Sequence, residues 1–238
     1  ERTVHVVDTT KPVITLLGDT TVTQEVFTPY NDVGAEARDS FEGDLRTSLI
    51  TINPVNTTLL GTYDITYNVR DDAGNDADEV MRTVRVVDTT APIITINGND
   101  EVTLEVGTTY TDLGATASDN YDNDNDLSGN IDRVIPVDSS SVGTYTVTYR
   151  VSDASGNAAT PVNRKVNVVD TAGPVISLIG NANITLEAGT SYVDAKATAF
   201  DAGDGNRTTQ ITTVNPVNTG IPGDYTITYN VSDTFGNA

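Results

Sequence analysis

The chain has 238 residues, and its 34 Asp and Glu against 13 Lys and Arg give a net charge of −21. Because nucleic acids and anionic membranes are bound through clustered cations, this charge argues against either as a partner. The chain contains no Cys, which excludes disulfides, zinc–thiolate sites and thiol nucleophiles, and its 37% hydrophobic content is that of a globular chain of two or three domains.

The dominant feature of the sequence is an internal repeat. The motif Val-Val-Asp-Thr occurs at residues 6–9, 86–89 and 168–171, so its Asp recurs after 80 and then 82 residues. Self-similarity of this kind indicates a tandem array of one structural unit. We therefore predict three repeats, called repeat 1, repeat 2 and repeat 3, at residues 9–88, 89–170 and 171–238.

Residues 1–8 match the last strand of a repeat, because they correspond to the segments that end at Asp88 and Asp170. We expect them to form the final strand of a preceding domain or of a domain in a neighbouring chain. Repeat 3 stops at Ala238, ahead of the corresponding segment, so we expect it to lack its own final strand.

Repeat 1 contains the clearest strand signal. Polar residues alternate there with the apolar residues Tyr63, Ile65, Tyr67 and Val69. This period of two is typical of a strand with one buried face, and it recurs at residues 145–151 and 225–231. No segment shows sustained helical spacing. Short strands broken by Gly, Asn, Asp and Pro at intervals of roughly ten residues indicate an all-β sandwich.

The topology of such a sandwich predicts which loops meet. In repeat 2 we assign strand A to 93–97, B to 113–118, C to 131–135, F to 144–152 and G to 162–169. With A antiparallel to B and B parallel to F, the start of A, the B–C loop and the F–G loop share one pole. Strand G ends at the opposite pole, so the linker Asp that follows it arrives beside the B–C and F–G loops of the next repeat.

The segments VVDTTAPIITINGNDEVTLEVGTTYTDLGATASDN and GTYTVTYRVSDASGNA of repeat 2 resemble the immunoglobulin-like (Ig-like) repeats of large bacterial surface and adhesin proteins, which are akin to hyalin-type repeats. The resemblance covers essentially the whole chain. It implies three tandem Ig-like β-sandwich domains in an elongated rod with an extracellular or cell-surface location. It identifies no ligand, because such repeats commonly serve as spacers.

The acidic residues concentrate in the linkers and in the two loops that the topology brings to them. The residues gathered in this way are Asp8, Asp39, Asp44, Asp71 and Asn75 in repeat 1, Asp88, Asp119, Asp122, Asp124, Asp126, Asp153 and Asn157 in repeat 2, and Asp170, Asp201, Asp204, Asp233 and Asn237 in repeat 3. Carboxylates this close repel one another unless a cation bridges them. Oxygen ligands on flexible loops favour Ca²⁺ over Mg²⁺, so we predict structural Ca²⁺ at these residues. The alternative is that these Asp side chains only cap turns.

Other candidate sites in the sequence are weaker. The acidic run at residues 122–126 starts like an EF-hand loop, but Leu127 replaces the Gly of the sixth position and Arg133 the Glu of the twelfth. It is either a solvated loop or an enlarged part of the predicted calcium site. Tyr121 in the same loop is a candidate for stacking on a ligand. His5 is the only histidine, which excludes imidazole-assisted nucleophilic catalysis at separate sites and favours an ordinary strand residue.

The leading functional hypothesis is structural. We expect a non-enzymatic spacer or fibre-forming segment of a bacterial cell-surface or extracellular protein, rigidified by Ca²⁺ at its domain junctions. The positions of the two ends are those expected of a window on a longer repeat protein. The alternative hypothesis is that residues 1–7 of one copy complete repeat 3 of the next copy, which would assemble filaments head to tail. The alternative is a carbohydrate- or protein-binding adhesin module, and an enzyme ranks third. No stretch approaches the roughly 18 uncharged apolar residues of a membrane span.

Overall fold

A computed structural model describes residues 1–238, which fall into two compact units. Unit 1 consists of Glu1–Pro92 with the short segments Asp119–Asn123 and Ser152–Ala158. Unit 2 consists of Ile93–Ser118, Asp124–Val151 and Ala159–Ala238. Strands make up 37% of the residues and helices 5%, which confirms the predicted all-β fold.

Repeat 1 forms two sheets in unit 1. Its strands are β1 (Val13–Leu16), β2 (Thr21–Glu25), β3 (Ala35–Asp39), β4 (Gly43–Asp44), β5 (Ile50–Ile52), β6 (Gly61–Asn68) and β7 (Val80–Val87). One sheet has the order β1-β3-β4 and the other the order β2-β7-β6-β5. All pairings are antiparallel except that of β2 with β7, which is parallel.

The core of repeat 1 follows from the period-two alternation. Ile65 and Tyr67 on β6 and Val84 on β7 are fully buried, and they form one cluster with Ile14 and Ala37 from the other sheet. Burying an aliphatic or aromatic side chain of this size stabilises a fold by roughly 1.5–3 kcal/mol. The alternation in the sequence therefore determines which face of each strand lies in the core.

Repeat 2 has the same arrangement. It belongs to unit 2 except for residues 89–92 and the loop segments Asp119–Asn123 and Ser152–Ala158, which belong to unit 1. Its elements are β8 (Ile93–Ile96), β9 (Glu101–Glu105), β10 (Ala115–Ser118), α1 (Asp124–Gly129), β11 (Asp132–Val134), β12 (Gly143–Arg150) and β13 (Val162–Val169). The sheets have the orders β10-β8 and β11-β12-β13-β9. The strands A, B, C, F and G assigned from the sequence are thus β8, β10, β11, β12 and β13. The strand assignment from the sequence missed β9, which pairs in parallel with β13.

Repeat 3 lies in unit 2. Its strands are β14 (Val175–Leu178), β15 (Ala197–Asp201), β16 (Gly205–Asn206), β17 (Thr212–Val214) and β18 (Thr228–Asn230). They form the sheets β14-β15-β16 and β17-β18. The strand predicted over 225–231 is regular only over the three residues of β18. The reason is that β18 pairs with β17 alone, whereas β6 has a strand on each side.

Residues 1–8 form no strand within the chain, and Val4, Val6 and Val7 are exposed. Their expected role in another domain stays a prediction, as do the repeat boundaries.

The six-residue helix α1 was not predicted from the sequence, which shows no sustained helical spacing. Asp124 and Asp126 lie in its first turn, where negative side chains interact favourably with the partial positive charge of a helix N-terminus. Leu127 is buried in the core of repeat 2, and the Ser128 hydroxyl bonds the backbone of Ala117. Repeats 1 and 3 have short 3₁₀ turns at Arg46–Ser48 and Thr208–Gln210 instead.

Each of the first two repeats buries one arginine, Arg82 on β7 and Arg164 on β13. The Arg82 side chain is 0% exposed, and its guanidinium bonds the carboxylate of Asp32, the hydroxyl of Tyr67 and the carbonyl of Asp19. Tyr67 also donates to Asp32 at 2.6 Å. Burial raises the pKa of Asp32, but the hydrogen bonds from Tyr67 and Arg82 outweigh it, so that the pKa lies below its ordinary value. The buried charge is thus fully paired.

Repeat 2 repeats this network with Arg164, Asp112 and Tyr149. In repeat 3 the hydroxyl of Tyr229 donates to Asp194 at 2.6 Å. Asp32, Asp112 and Asp194 therefore accept the same tyrosine hydrogen bond in the three repeats.

Replacing Arg82 by Met is expected to lower the free energy of unfolding of repeat 1 by about 3–5 kcal/mol, because it leaves the Asp32 carboxylate buried without a cation. Urea unfolding followed by tyrosine fluorescence measures the loss. Adding Asp32→Asn to Arg82→Met is expected to restore part of it. A loss of less than about 1 kcal/mol in the single variant, the size of a surface ion pair, contradicts the assignment.

Candidate metal centres in three aspartate groups

Three groups of aspartates bring one carboxylate oxygen from each member within 4.8 Å of the others. Unit 1 holds group 1, made of Asp8, Asp39 and Asp71, and group 2, made of Asp88, Asp119, Asp122 and Asp153. Unit 2 holds group 3, made of Asp170, Asp201 and Asp233. Each group takes its residues from a linker, a B–C loop and an F–G loop, the three segments that the predicted topology placed at one pole.

Strand ends position the members of group 2. Asp88 directly follows β7, Asp119 directly follows β10, and Asp153 lies in the loop between β12 and β13. In groups 1 and 3, Asp39 and Asp201 end the strands β3 and β15, and Asp170 directly follows β13. Because the register of each sheet fixes where its strands end, it also fixes the positions of the carboxylates beside those ends.

An asparagine joins two segments of each group. In group 2 the Asn157 side-chain amide donates to Asp153 Oδ2 at 2.7 Å and to the carbonyl of Asp88 at 3.1 Å. Asn75 and Asn237 make the same pair of bonds in groups 1 and 3. These amides point their N–H groups at the carboxylates, so the three asparagines tie the F–G loop to the linker.

The B–C loop aspartates of groups 1 and 3 use one oxygen to cap a turn. Asp39 Oδ1 accepts the backbone N–H groups of Phe41 and Glu42 at 2.6 and 3.0 Å, and Asp201 Oδ1 accepts those of Gly203 and Asp204. The capping alternative is therefore partly right. Capping leaves the other oxygen of Asp39, Oδ2, buried and without a hydrogen-bond partner.

The linker aspartates also have buried carboxylate oxygens without a hydrogen-bond partner. Asp88 is 6% exposed, and its Oδ2 has no hydrogen-bond partner; Asp170 is 8% exposed, and neither of its carboxylate oxygens has one. A buried carboxylate without compensation is among the most costly groups in a folded protein. The arrangement therefore favours a bound cation.

Electrostatics point the same way. Burial raises the pKa of Asp88, and repulsion from Asp119, Asp153 and Glu25 raises it further. Burial likewise raises the pKa of Asp170, and Asp201 and Asp233 add to the shift. These two linker carboxyls thus hold their negative charge at a cost that a cation would remove.

Besides the three asparagines described above, four aspartates predicted as ligands lie outside the three groups. Asp44 forms an ion pair with Arg46 at 2.6 Å, and Asp204 accepts the backbone N–H and the hydroxyl of Thr234. Asp124 and Asp126 belong to α1. Of the acidic run only Asp122 joins group 2, which it enlarges to four carboxylates where the other groups have three. The ligand set itself stays a prediction.

Phe27, which the sequence analysis did not single out, contacts the loop of group 2. Its φ of 57° lies in the left-handed region, where Gly107 and Gly189 stand at the equivalent turns of repeats 2 and 3. Its ring packs on that of Tyr121, with 5.9 Å between the centroids and a tilt of 43°. Comparing the repeats would have found it as the one non-glycine at this turn. Tyr121 thus has a structural partner within unit 1.

Comparison with known proteins accounts for nearly the whole chain. Residues 14–86, 94–168 and 176–238 each match the family described as bacterial surface protein, Ig-like domain. Among curated proteins, the chain is 31% identical to hyalin of Strongylocentrotus purpuratus over 99% of the chain and 20% of that protein. It is 32% identical to hyalin of Lytechinus variegatus over 97% of the chain and 46% of that protein.

A pesticidal crystal protein of Bacillus thuringiensis is 31% identical over 95% of the chain and 32% of its own length. The chain therefore spans between a fifth and a half of these relatives. No helix in the structure has the length and apolar character needed to cross a membrane.

A double-mutant cycle tests the Phe27–Tyr121 contact. A left-handed non-glycine residue costs about 1–2 kcal/mol, and an aromatic pair returns about 0.5–1.5 kcal/mol. Phe27→Gly is therefore expected to stabilise the chain clearly when Tyr121 is Ala, and less when Tyr121 is present. Urea unfolding of the four proteins gives the coupling energy, and additive effects would show that the two rings do not interact.

Proposed function

The chain belongs to the bacterial surface protein Ig-like domain family, and we propose that it is a structural spacer of a cell-surface or extracellular protein, stiffened by Ca²⁺ bound at its three aspartate groups. One observation carries the proposal. Every repeat gathers aspartates from the same three segments, and in each group at least one buried carboxylate oxygen lacks a hydrogen-bond partner. Turn capping alone gives no reason for that recurrence.

The donor set fits Ca²⁺. The groups offer only carboxylate oxygens, which are hard ligands that Ca²⁺ and Mg²⁺ prefer to nitrogen or sulfur donors. Loops of this kind adapt to the larger, flexible coordination of Ca²⁺ more easily than to the strict octahedron of Mg²⁺. In group 2 the ligands would be Asp88, Asp119, Asp122 and Asp153. The cation would supply positive charge and would take part in no reaction.

The mechanical consequence follows from where the ligands lie in the chain. Asp88 belongs to the linker after β7, whereas Asp119 and Asp153 belong to loops of repeat 2. A cation bound to all three removes the rotational freedom of the linker. Without it, mutual repulsion of the carboxylates favours separation of the same segments. Calcium thus acts as a stiffener of each joint.

The role of Tyr121 supports the spacer over the glycan-binding alternative. The argument for a glycan depended on a free aromatic platform in the acidic loop, and the Tyr121 ring packs on Phe27 instead. The chain contains no Trp, the residue that stacking sites use most. A structural module also agrees with the family, so we propose no enzymatic activity.

Asp88→Asn is expected to change stability in opposite directions with and without calcium. In chelator it removes a buried, repelled charge, so the unfolding temperature rises. In calcium it removes a ligand, so the unfolding temperature falls. Calcium at 100 times its dissociation constant stabilises the wild type by about 2.7 kcal/mol per site, and calorimetry together with metal analysis measures both effects.

Asp132→Asn is the matched control, because Asp132 is an exposed residue of β11 in the same repeat. It removes the same charge outside every group and is expected to leave the calcium-induced stabilisation unchanged. Equal melting of the wild type in millimolar calcium and in chelator would rule out the calcium-stiffened joint.

We also propose the head-to-tail contact between copies. Arg2 has the same place relative to Val-Val-Asp as Arg82 and Arg164, and repeat 3 carries the Asp194–Tyr229 pair that such an arginine binds in the other repeats. Arg2→Met is expected to shift sedimentation of the concentrated chain towards monomer. The exposed Arg85→Met is the control, and a wild type that stays monomeric in calcium rules out the contact.

A further inference from the structure

We propose that Glu25 and Glu105 are positioning residues of the cation sites, which aim the linker aspartates at groups 2 and 3. This inference depends on the proposed function, because it assigns a task to residues beside the proposed sites. Neither glutamate is a member of an aspartate group. Each ends the short strand that pairs in parallel with the last strand of its repeat.

Glu25 holds the linker with both of its carboxylate oxygens. The backbone N–H of Thr89 lies 3.1 and 3.0 Å from Oε1 and Oε2, and the Thr89 hydroxyl donates to Oε2 at 2.6 Å. The Thr90 hydroxyl donates to Oε1 at 2.9 Å. These bonds lower the pKa of Glu25, despite some opposing burial. The negative charge is thus directed at the linker backbone.

The contact continues from the linker to the cation group. The Thr90 backbone N–H donates to Asp88 Oδ1 at 3.1 Å. With Oδ1 engaged, the unpartnered Oδ2 of Asp88 is the oxygen that remains for group 2. Glu25 therefore acts on the proposed ligand Asp88 through Thr90, which bonds both carboxylates.

Glu105 repeats the contact in unit 2. Its Oε1 accepts the backbone N–H groups of Thr171 and Ala172 at 2.8 and 3.1 Å, and its Oε2 accepts the Thr171 hydroxyl at 2.8 Å. The linker residue Asp170 directly precedes Thr171. The Ala172 N–H, which is equivalent to the Thr90 N–H that bonds Asp88, bonds Glu105 instead. Both oxygens of Asp170 therefore remain without a hydrogen-bond partner.

Outer partners of this type orient a ligand before the metal arrives, and their loss typically lowers metal affinity about 10–100-fold. Removing Glu25 releases two threonines, so that a flexible linker must be ordered each time a cation binds. The expected result is a weaker site with an unchanged ligand set.

Terbium luminescence excited through tyrosine tests this at group 2, because Tyr121 lies between Asp119 and Asp122 in the chain. Loss of the signal in Tyr121→Phe assigns it to that group. Competition by Ca²⁺ then gives the calcium affinity of full-length variants. Glu25→Ala is expected to weaken it about tenfold or more, and Glu25→Gln, which keeps one acceptor oxygen, is expected to weaken it less.

Glu105→Ala and Glu187→Ala are the controls, since they change the equivalent position in repeats 2 and 3 and should leave the group 2 affinity at the wild-type value. The calcium-induced rise in melting temperature should also be smaller in Glu25→Ala than in the wild type, whereas a general structural role would lower the melting temperature equally in calcium and in chelator. A Glu25→Ala affinity within twofold of wild type, or an equal loss in Glu25→Gln, overturns the inference alone. Failure of the wild type to bind Tb³⁺ or Ca²⁺ overturns the proposed function with it.

Discussion

The parallel pairing of a short strand with the last strand of the repeat is the constraint on which the proposed joints depend. In repeat 1 it sets Glu25 opposite Val87, and the Val26 N–H continues the ladder by donating to the Val87 carbonyl at 2.8 Å. This register ends both strands at the same level. It therefore places Glu25 beside the linker, Phe27 at the turn that follows, and Asp88 at the exit of the sheet. Repeat 2 uses the same register between Glu105 and Val169.

The buried and half-buried carboxylates of the protein have two different kinds of surroundings. Asp32 and Asp112 lie beside arginines of the same repeat, and the pKa of each is lowered. Asp88 and Asp170 lie beside other carboxylates, and the pKa of each is raised. The chain thus supplies an internal cation at the first kind of aspartate and none at the second, and this difference supports the proposed external cation there. The contrast makes a purely capping role for the linker aspartates hard to support.

Much of the fold was predictable because its long strands alternate strictly. The eight residues of β6 and β12 leave no doubt about which face is buried, and the order of strands then placed the linker and two loops together. The strand β9 was missed, because its place in the sheet depends on a parallel pairing with β13, which is distant in sequence. The helix α1 was missed as well, since its six residues depend on the burial of Leu127 and the Ser128–Ala117 bonds, which are tertiary contacts. Glu25 recurs as Glu105 and Glu187, but no pattern in the sequence names its threonine partners.

The two-residue insertion of repeat 2 explains why its group differs from the others. In repeat 1 six residues lead from Asp39 to the buried Leu45, whereas eight lead from Asp119 to the buried Leu127. The longer loop accommodates the helical turn of α1 and brings Asp122 into the group as a fourth carboxylate. It also carries Tyr121 to Phe27, while Phe41 at the equivalent position of repeat 1 is exposed. The same insertion therefore adds both a fourth carboxylate to the proposed cation site and an aromatic contact beside the same linker.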